Sequence, residues 1–460
     1  MKRIMTRSLI VWFVTFAFVA GVILLGVRVV LYHGDWVQQP YNGHIISNGG
    51  LARAGKITDR AGQQLAYSEN DTRHYNSDLT TREALLHVVG DNNGYISTAI
   101  QSRYSNSLTG YNFFLGLGIP DSLRPNSDIK LTVDADASRA AFNALGSHKG
   151  ACVVYNYKTG EVLCDTSAPS YDPEDPPEIN ENNESEYDGV YLDNVISSTF
   201  TPGSIFKIVT AAAAVENIPD IYEQTFTCDG YLDVEGNPIT CEYAHGTQTF
   251  SEAFANSCNC AFGSIAMQVG ADKMKETAER LGFNKNDLKM SDITIATSHY
   301  DATGAGDNYL AWSGIGQYQD LANPTLMAMI CSAVANGGTA TSPYIVDDDG
   351  KLLDKLGIKT NKSPDVNMMS ADTASRLRDL MRGSAEGYAN NRGVSLAGLN
   401  FCAKTGTAEV GEDKDPTSWF VGFTDDPAHP YAFAAVVVEG GYGIDAAASV
   451  VSAAIGELVN

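Results

Sequence analysis

The apolar positions of this chain fall into one long run followed by many short blocks. Ser8 to Val27, SLIVWFVTFAFVAGVILLGV, is a stretch of twenty uncharged residues, the length at which a helix crosses the hydrocarbon core of a bilayer. From 28 to 127 short strand-like runs alternate with polar turns, without a strong helical period. Within that region Gly55 to Ala66 reads as strand, Arg60-Ala61-Gly62 turn, strand. A second unit opens at Ile129-Lys130-Leu131-Thr132-Val133-Asp134, followed by a short amphipathic helix from Asp136 to Leu145. Residues 151–165 form a hairpin pattern with Lys158-Thr159-Gly160 at its tip. Pro202-Gly203 is a stop, and the apolar run Ser204 to Val215 starts a helix directly after it. Trp419 to Phe423 and Tyr431 to Glu439 read as closing strands, and Ala446 to Leu458 as a final helix. Helices on a mostly antiparallel sheet follow, hence an α+β fold. The implied organisation is a short N-terminal segment at 1–7, a transmembrane helix at 8–27, a small domain at 28–127 and a main domain at 128–460.

Charge refines this layout. Lys2, Arg3 and Arg7 precede the apolar run, which predicts a cytoplasmic N-terminus and an extracellular remainder. A cleaved signal peptide is the rival reading, but the run exceeds an ordinary h-region and Gly26-Val27-Arg28 is a poor cleavage site. The net charge is −24, from 55 acids against 31 bases, a surface that repels nucleic acid. Asp172 to Asp188 holds eight acids, three prolines and no base. It reads as a solvated loop, either solubilising or steering charged molecules at a cleft mouth.

Eight cysteines complete the composition. Cys152 with Cys164, or Cys228 with Cys241, bracket hairpin-like segments, and the sequence leaves open whether they pair or stay buried thiols. Cys258 and Cys260 lie two apart in an expected helix, so they should point to different faces. No CxxC or Cys/His spacing signals a zinc site.

Three short motifs carry candidate chemistry. In Ser204-Ile205-Phe206-Lys207 a spacing of three puts hydroxyl and amine on one helical face. A serine becomes a nucleophile when a neighbour takes its proton, and a lysine does so only with a depressed pKa. The surrounding helix is otherwise apolar, so Lys207 must be buried or paired. Ser257-Cys258-Asn259 places two polar side chains where a proton relay and a substrate amide contact would suit, although a polar cap reads equally well. Lys404-Thr405-Gly406-Thr407 combines a cation and two hydroxyls with a glycine that lets a ligand backbone approach, a carboxylate-binding set. A bare KTG is cheap: Lys158-Thr159-Gly160 reads as nothing more than a turn. The order and spacing together are specific, with 53 residues from Ser204 to Ser257 and 147 onward to Lys404.

The combination resembles the penicillin-binding proteins, and the likeness covers nearly the whole chain. Leu131-Thr132-Val133-Asp134, Thr159-Gly160-Glu161-Val162-Leu163, Ser167-Ala168-Pro169-Ser170-Tyr171-Asp172-Pro173, Ile315-Gly316-Gln317, Asn323-Pro324, Ala335-Asn336-Gly337-Gly338 and Trp419-Phe420-Val421-Gly422-Phe423 are similar to landmarks of their transpeptidase domain. Gly55 to Ala66 resembles the start of the pedestal in the monofunctional class B branch, here short as in the penicillin-binding protein A type; no stretch resembles a glycosyltransferase domain. The resemblance implies a pedestal at 28–127, a transpeptidase domain at 128–460, and a D,D-transpeptidase that cross-links peptidoglycan stem peptides ending in D-Ala-D-Ala and binds β-lactams covalently. It further implies Ser204 as nucleophile, Lys207 as general base and Ser257 as proton relay. Asn259, Lys404, Thr405, Gly406 and Thr407 would contact substrate, with the N–H groups of Ser204 and Thr407 as oxyanion hole. No metal or organic cofactor is implied; a polytopic lipid II polymerase of the SEDS family is the implied partner. Ser418 stands where many relatives carry His. A β-lactamase or a membrane β-lactam sensor shares the motifs, but the former is usually a soluble single domain and the latter usually carries several spans.

Overall fold

A computed structural model describes residues 2–37, 51, 54–109, 128–347, 362–409, 411, 414–441 and 443–460. Residues 38–50 and 110–127 of the small domain read from the sequence lie outside the described residues. Helix α1 spans Lys2–Val37, so it continues past the apolar run. Its segment Ile10–Arg28 has a mean hydropathy of 2.6 and buries nothing against the protein. Among the described residues it is the one helix long and apolar enough to cross a membrane.

A five-stranded sheet joins segments that are far apart in the chain. Strands β1 (Ile57–Thr58), β2 (Gln64–Glu69) and β3 (Thr72–Tyr75) form an antiparallel meander. Strand β4 (Ile129–Leu131) pairs parallel to β1, with Ile57 opposite Ile129. The sheet is therefore not confined to 28–127, because a strand assigned to the main domain completes it.

The central sheet belongs to the larger unit. Helix α2 (Ala135–Leu145) precedes β5 (Gly150–Asn156) and β6 (Val162–Ala168), the expected hairpin. Helix α3 (Lys207–Asn217) follows the Pro202-Gly203 stop. Then come β7 (Thr225–Cys228), the hairpin β8 (Tyr231–Val234) and β9 (Asn237–Thr240), β10 (Gly246–Thr249), and helix α4 (Asn259–Val269). Helix α5 (Pro324–Ala335) leads to β11 (Val346–Asp347), which pairs with β4 as the outer strand of the small sheet. Helix α6 (Ala371–Arg392), β12 (Phe401–Ala408), β13 (Thr417–Thr424), β14 (Tyr431–Val437) and α7 (Ala447–Val459) close the chain. The central sheet is antiparallel throughout, in the order β12-β13-β14-β5-β6.

Both faces of that sheet are covered, and the strands show it residue by residue. Ala151, Val153 and Tyr155 belong to the core shared with α3 and α5, whereas Cys152 and Val154 pack with α2 and α7. Period-two alternation between two apolar cores explains why β5 reads as a continuous apolar run. Every residue of α5 is buried, as a helix apolar all round must be. Asn323 caps it by accepting from Leu326 N–H, and Pro324 sits where a missing N–H costs nothing.

The acidic segment is the irregular and mostly exposed loop expected, but it is tied down. Asp172 takes both arms of Arg82, at 2.8 and 2.6 Å, and Glu174 accepts the Tyr75 N–H at 3.0 Å. Ile179 and Tyr187 pack against the cluster of Leu86, Ile96 and Ala99. Apolar anchors and a bidentate ion pair dock the segment on the first unit.

Candidate active site

The Ser204 turn is shaped by backbone approach. Gly203 to Phe206 form a 3₁₀ turn before α3 begins at Lys207, so the expected helix from Ser204 starts one turn late. Gly203 has φ +55°, and a Cβ there would meet the Thr407 carbonyl oxygen at 2.5 Å. Gly406 lies in an uninterrupted strand, and a Cβ on it would meet the Pro202 oxygen at 2.8 Å and Ile205 Cγ2 at 2.9 Å. Gly406 thus admits the Ser204 turn, a close approach of protein backbone that the sequence reading did not foresee. The Trp419 indole donates to the Thr201 carbonyl at 2.9 Å and ties the same turn to the sheet.

The three motifs converge on Lys207, which is wholly buried. Its Nζ lies 3.0 Å from Ser204 Oγ, 2.6 Å from the Ser257 carbonyl oxygen, 3.1 Å from Ser257 Oγ and 2.7 Å from Asn259 Oδ1. An ammonium has three protons, one too few for four acceptors. A neutral amine, with two protons and one lone pair, also meets three of the four, donating to the carbonyl and to Oδ1 while accepting from one hydroxyl. Burial first, and then the Lys404 charge, hold the Lys207 pKa well below the ordinary lysine range. Lys404 is also wholly buried. It donates to Ser257 Oγ at 3.0 Å and to the Thr405 carbonyl at 3.0 Å, and burial brings its pKa down to about 7. Ser257 therefore bridges the two amines. Its own φ is +53°, an uncommon conformation for a side-chain-bearing residue.

Asn259 lines the cleft, and its amide is also a structural tie. Its Oδ1 accepts from Lys207 and its Nδ2 donates to the Thr240 carbonyl at 2.8 Å, so both ends of the amide hold the site together. Ser418, opposite Thr407 across the β12–β13 pair, accepts the Ala447 N–H at 3.1 Å. The other KTG triplet, Lys158-Thr159-Gly160, sits at the β5–β6 turn, with Lys158 donating to Asn336.

A cleft of about 670 Å³ opens over these groups, lined by Ser204, Ser257, Asn259, Thr405 and Thr407. Strand β12 is the edge of the central sheet, so its outward N–H groups face the cleft. Tyr388, on α6, receives the Thr405 N–H at 3.2 Å and lies 3.1 Å from Thr405 Oγ1. Sequence reasoning missed Tyr388, since one tyrosine in a polar helix carries no motif. It also missed the cleft wall formed by Tyr243, His245 and Arg392.

The cysteines depart furthest from the sequence reading. Cys152 and Cys164 are buried thiols in contact but unbonded, one of the two outcomes the sequence left open. Cys228, Cys241, Cys258 and Cys260 meet, with all four sulfurs within 4.8 Å of one another. Cys258 is not helical but an extended N-cap of α4, φ −66° and ψ 113°, so its sulfur turns to the same side as that of Cys260.

Comparison with known proteins places this architecture. A family model for the penicillin binding protein transpeptidase domain matches residues 150–456. The peptidoglycan D,D-transpeptidase PbpA of Mycolicibacterium smegmatis is 29% identical over 453 residues, covering 91% of this chain and 90% of that one. The D,D-transpeptidase domain of a peptidoglycan glycosyltransferase from Eggerthella lenta superposes with a TM-score of 0.72 at 27% identity, over 88% of this chain and 98% of that one. Penicillin-binding protein A of M. tuberculosis, solved as its penicillin G acyl-enzyme complex, gives a TM-score of 0.71 at 26% identity, over 88% and 98%. The match over 150–456 takes in the whole central sheet and every residue that converges on Lys207, and the chain belongs to the penicillin-binding protein transpeptidase family.

Proposed function

We propose that this chain is a membrane-anchored peptidoglycan D,D-transpeptidase that works through an acyl-enzyme on Ser204. The observation that carries this reading is the buried Lys207 amine, 3.0 Å from Ser204 Oγ and linked through Ser257 to Lys404. Lys207 takes the hydroxyl proton as Ser204 Oγ bonds to the carbonyl carbon of the penultimate D-alanine. The tetrahedral oxyanion lies between the N–H groups of Ser204 and Thr407. Collapse breaks the peptide bond, and the proton reaches the departing D-alanine amine through Ser257. An amine from a second stem peptide then attacks the ester, returning the proton to Ser204 and closing the cross-link. Lys404 and Thr405 hold the terminal carboxylate, the same end that a β-lactam presents. The similarity to a D,D-transpeptidase and to a penicillin-binding protein solved as its penicillin G acyl-enzyme supports both halves of this reading.

The apolar helix at 8–27 anchors the protein as a single span, with residues 1–7 cytoplasmic and the catalytic unit extracellular, since basic residues flank the span on its N-terminal side. A polytopic SEDS-family lipid II polymerase is the proposed partner, meeting the span and the pedestal at 28–127.

Fluorescent penicillin labelling followed by peptide mapping tests the central step. Wild-type protein is expected to carry one label, on the Ser204 peptide, and Ser204→Ala none. A label persisting in that variant, or mapping to another serine, overturns the assignment.

A further inference from the structure

The converging cysteines form a metal site in outline. Cys228 closes β7, Cys241 follows β9, and Cys258 and Cys260 open α4. Their linear spacing leaves 12, 16 and 1 intervening residues, which is why no motif was visible. Three of the sulfurs are buried, and the half-buried Cys241 lines the cleft, giving an entry path.

The distances suit coordination. A tetrahedral zinc with Zn–S bonds of about 2.3 Å has S···S edges of about 3.8 Å. Here Cys241 Sγ lies 3.8 Å from Cys258 Sγ and 3.4 Å from Cys260 Sγ, and no pair of the four exceeds 4.8 Å. A disulfide brings two sulfurs to about 2.05 Å, and none of the four is in one. The surroundings favour thiolates as well. The Ala261 N–H donates to Cys258 Sγ at 3.4 Å and the Cys260 N–H to Cys241 Sγ at 3.5 Å, both from the start of a helix. His245 Nδ1 stands 3.4 Å from Cys228 Sγ, where a proton on that nitrogen would be donated to a metal-bound thiolate. Four sulfurs without an oxygen ligand select zinc over calcium or magnesium.

We propose that Cys228, Cys241, Cys258 and Cys260 bind one Zn²⁺ ion, and that the ion pins the Ser257–Asn259 turn. Binding replaces thiol protons by Zn–S bonds, and the protons leave to solvent. No oxidation is involved. Cys258 lies between Ser257 and Asn259, and Cys260 follows them. Fixing both sulfurs therefore fixes the left-handed Ser257 backbone and the Asn259 amide that hold Lys207. The ion is a structural clamp behind the cleft and touches no reacting atom.

The test begins with the full-length protein purified in detergent under argon, without chelator. Elemental analysis is expected to give about one zinc per chain, displaced when a mercurial titrates the four thiols. Co²⁺ exchanged into the protein should show the intense visible bands of a tetrahedral thiolate centre. Cys228→Ser, remote in sequence from the Ser257 turn, should weaken zinc retention at least about tenfold. Zinc-free protein that keeps its far-UV spectrum should acylate with penicillin at least about tenfold more slowly, and recover when Zn²⁺ is restored. Two disulfides among these cysteines in freshly isolated protein, or thiols that take up neither Zn²⁺ nor Co²⁺, would overturn the site. Zinc loss without change in acylation would overturn the clamp. Metal content is read independently of turnover, so neither result is confused with a wrong nucleophile.

Discussion

Lys207 and Lys404 compete for the Ser257 hydroxyl, and their two protonation states do opposite work. Lys207 acts as a base only when neutral, and its depressed pKa makes the neutral amine available well below the usual lysine range. Lys404 attracts a carboxylate only when charged, and it loses its proton through about pH 7. The second-order acylation rate with an anionic penicillin should therefore rise on the acid side as Lys207 deprotonates and fall above about pH 7 as Lys404 does. Lys404→Arg should remove the descending limb, because a guanidinium stays charged; stopped-flow profiles from about pH 5 to 9 decide it. Lys207→Arg should lower acylation at least about a hundredfold, since a guanidinium is no base. Rates within a few-fold of wild type would move the general base elsewhere. The motif serines and lysines were legible in the sequence because their chemistry is written in local spacing. Tyr388 and the Asn259–Thr240 tie were not, because their partners, Thr405 and Thr240, come from distant strands.

Strands and helices were legible wherever one period prevailed, as in the 151–165 hairpin and the closing helix. Turns fixed by contact with remote backbone were not. The 3₁₀ start at Gly203 and the extended cap at Cys258 follow from packing that local propensity does not encode. Gly203→Ala should cost roughly 1–3 kcal/mol and slow acylation, because a left-handed backbone and a carbonyl at 2.5 Å both oppose a methyl group. Gly62→Ala is the control, as its φ is also positive but nothing lies within 4 Å of the added carbon. Equal acylation by both variants would show that the close approach is dispensable. Asn323 is a second element-level linchpin. Its buried Nδ2 donates to the carbonyls of Val195, Ile196 and Ser198 while its Oδ1 caps α5. Asn323→Ala should destabilise by at least about 2 kcal/mol in urea titrations, orphaning carbonyls and a helix end together. A midpoint equal to wild type would contradict this.

Across the whole molecule the sequence conveyed the order of parts better than their borders. The cut at 128 looked clean in the chain, yet β4 and β11 complete the sheet begun by β1 to β3. The acidic segment, legible only as charge, docks through Arg82, Tyr75 and an apolar patch. The span, by contrast, touches nothing else described, so its sequence is free to serve a partner. Exchanging residues 8–27 for an unrelated apolar span should leave penicillin labelling intact and weaken co-purification with the proposed polymerase. An unchanged pull-down would reduce the span to a tether. The interleaved sheet also bears on biogenesis. A chain made from its N-terminus presents β1 to β3 early, but the strand that covers β4 arrives only with Val346. Until then the nascent protein carries an open strand edge, the kind of surface that recruits wrong partners. Its most hazardous interval is thus the long wait before β11 covers β4, when nascent chains should be most open to protease.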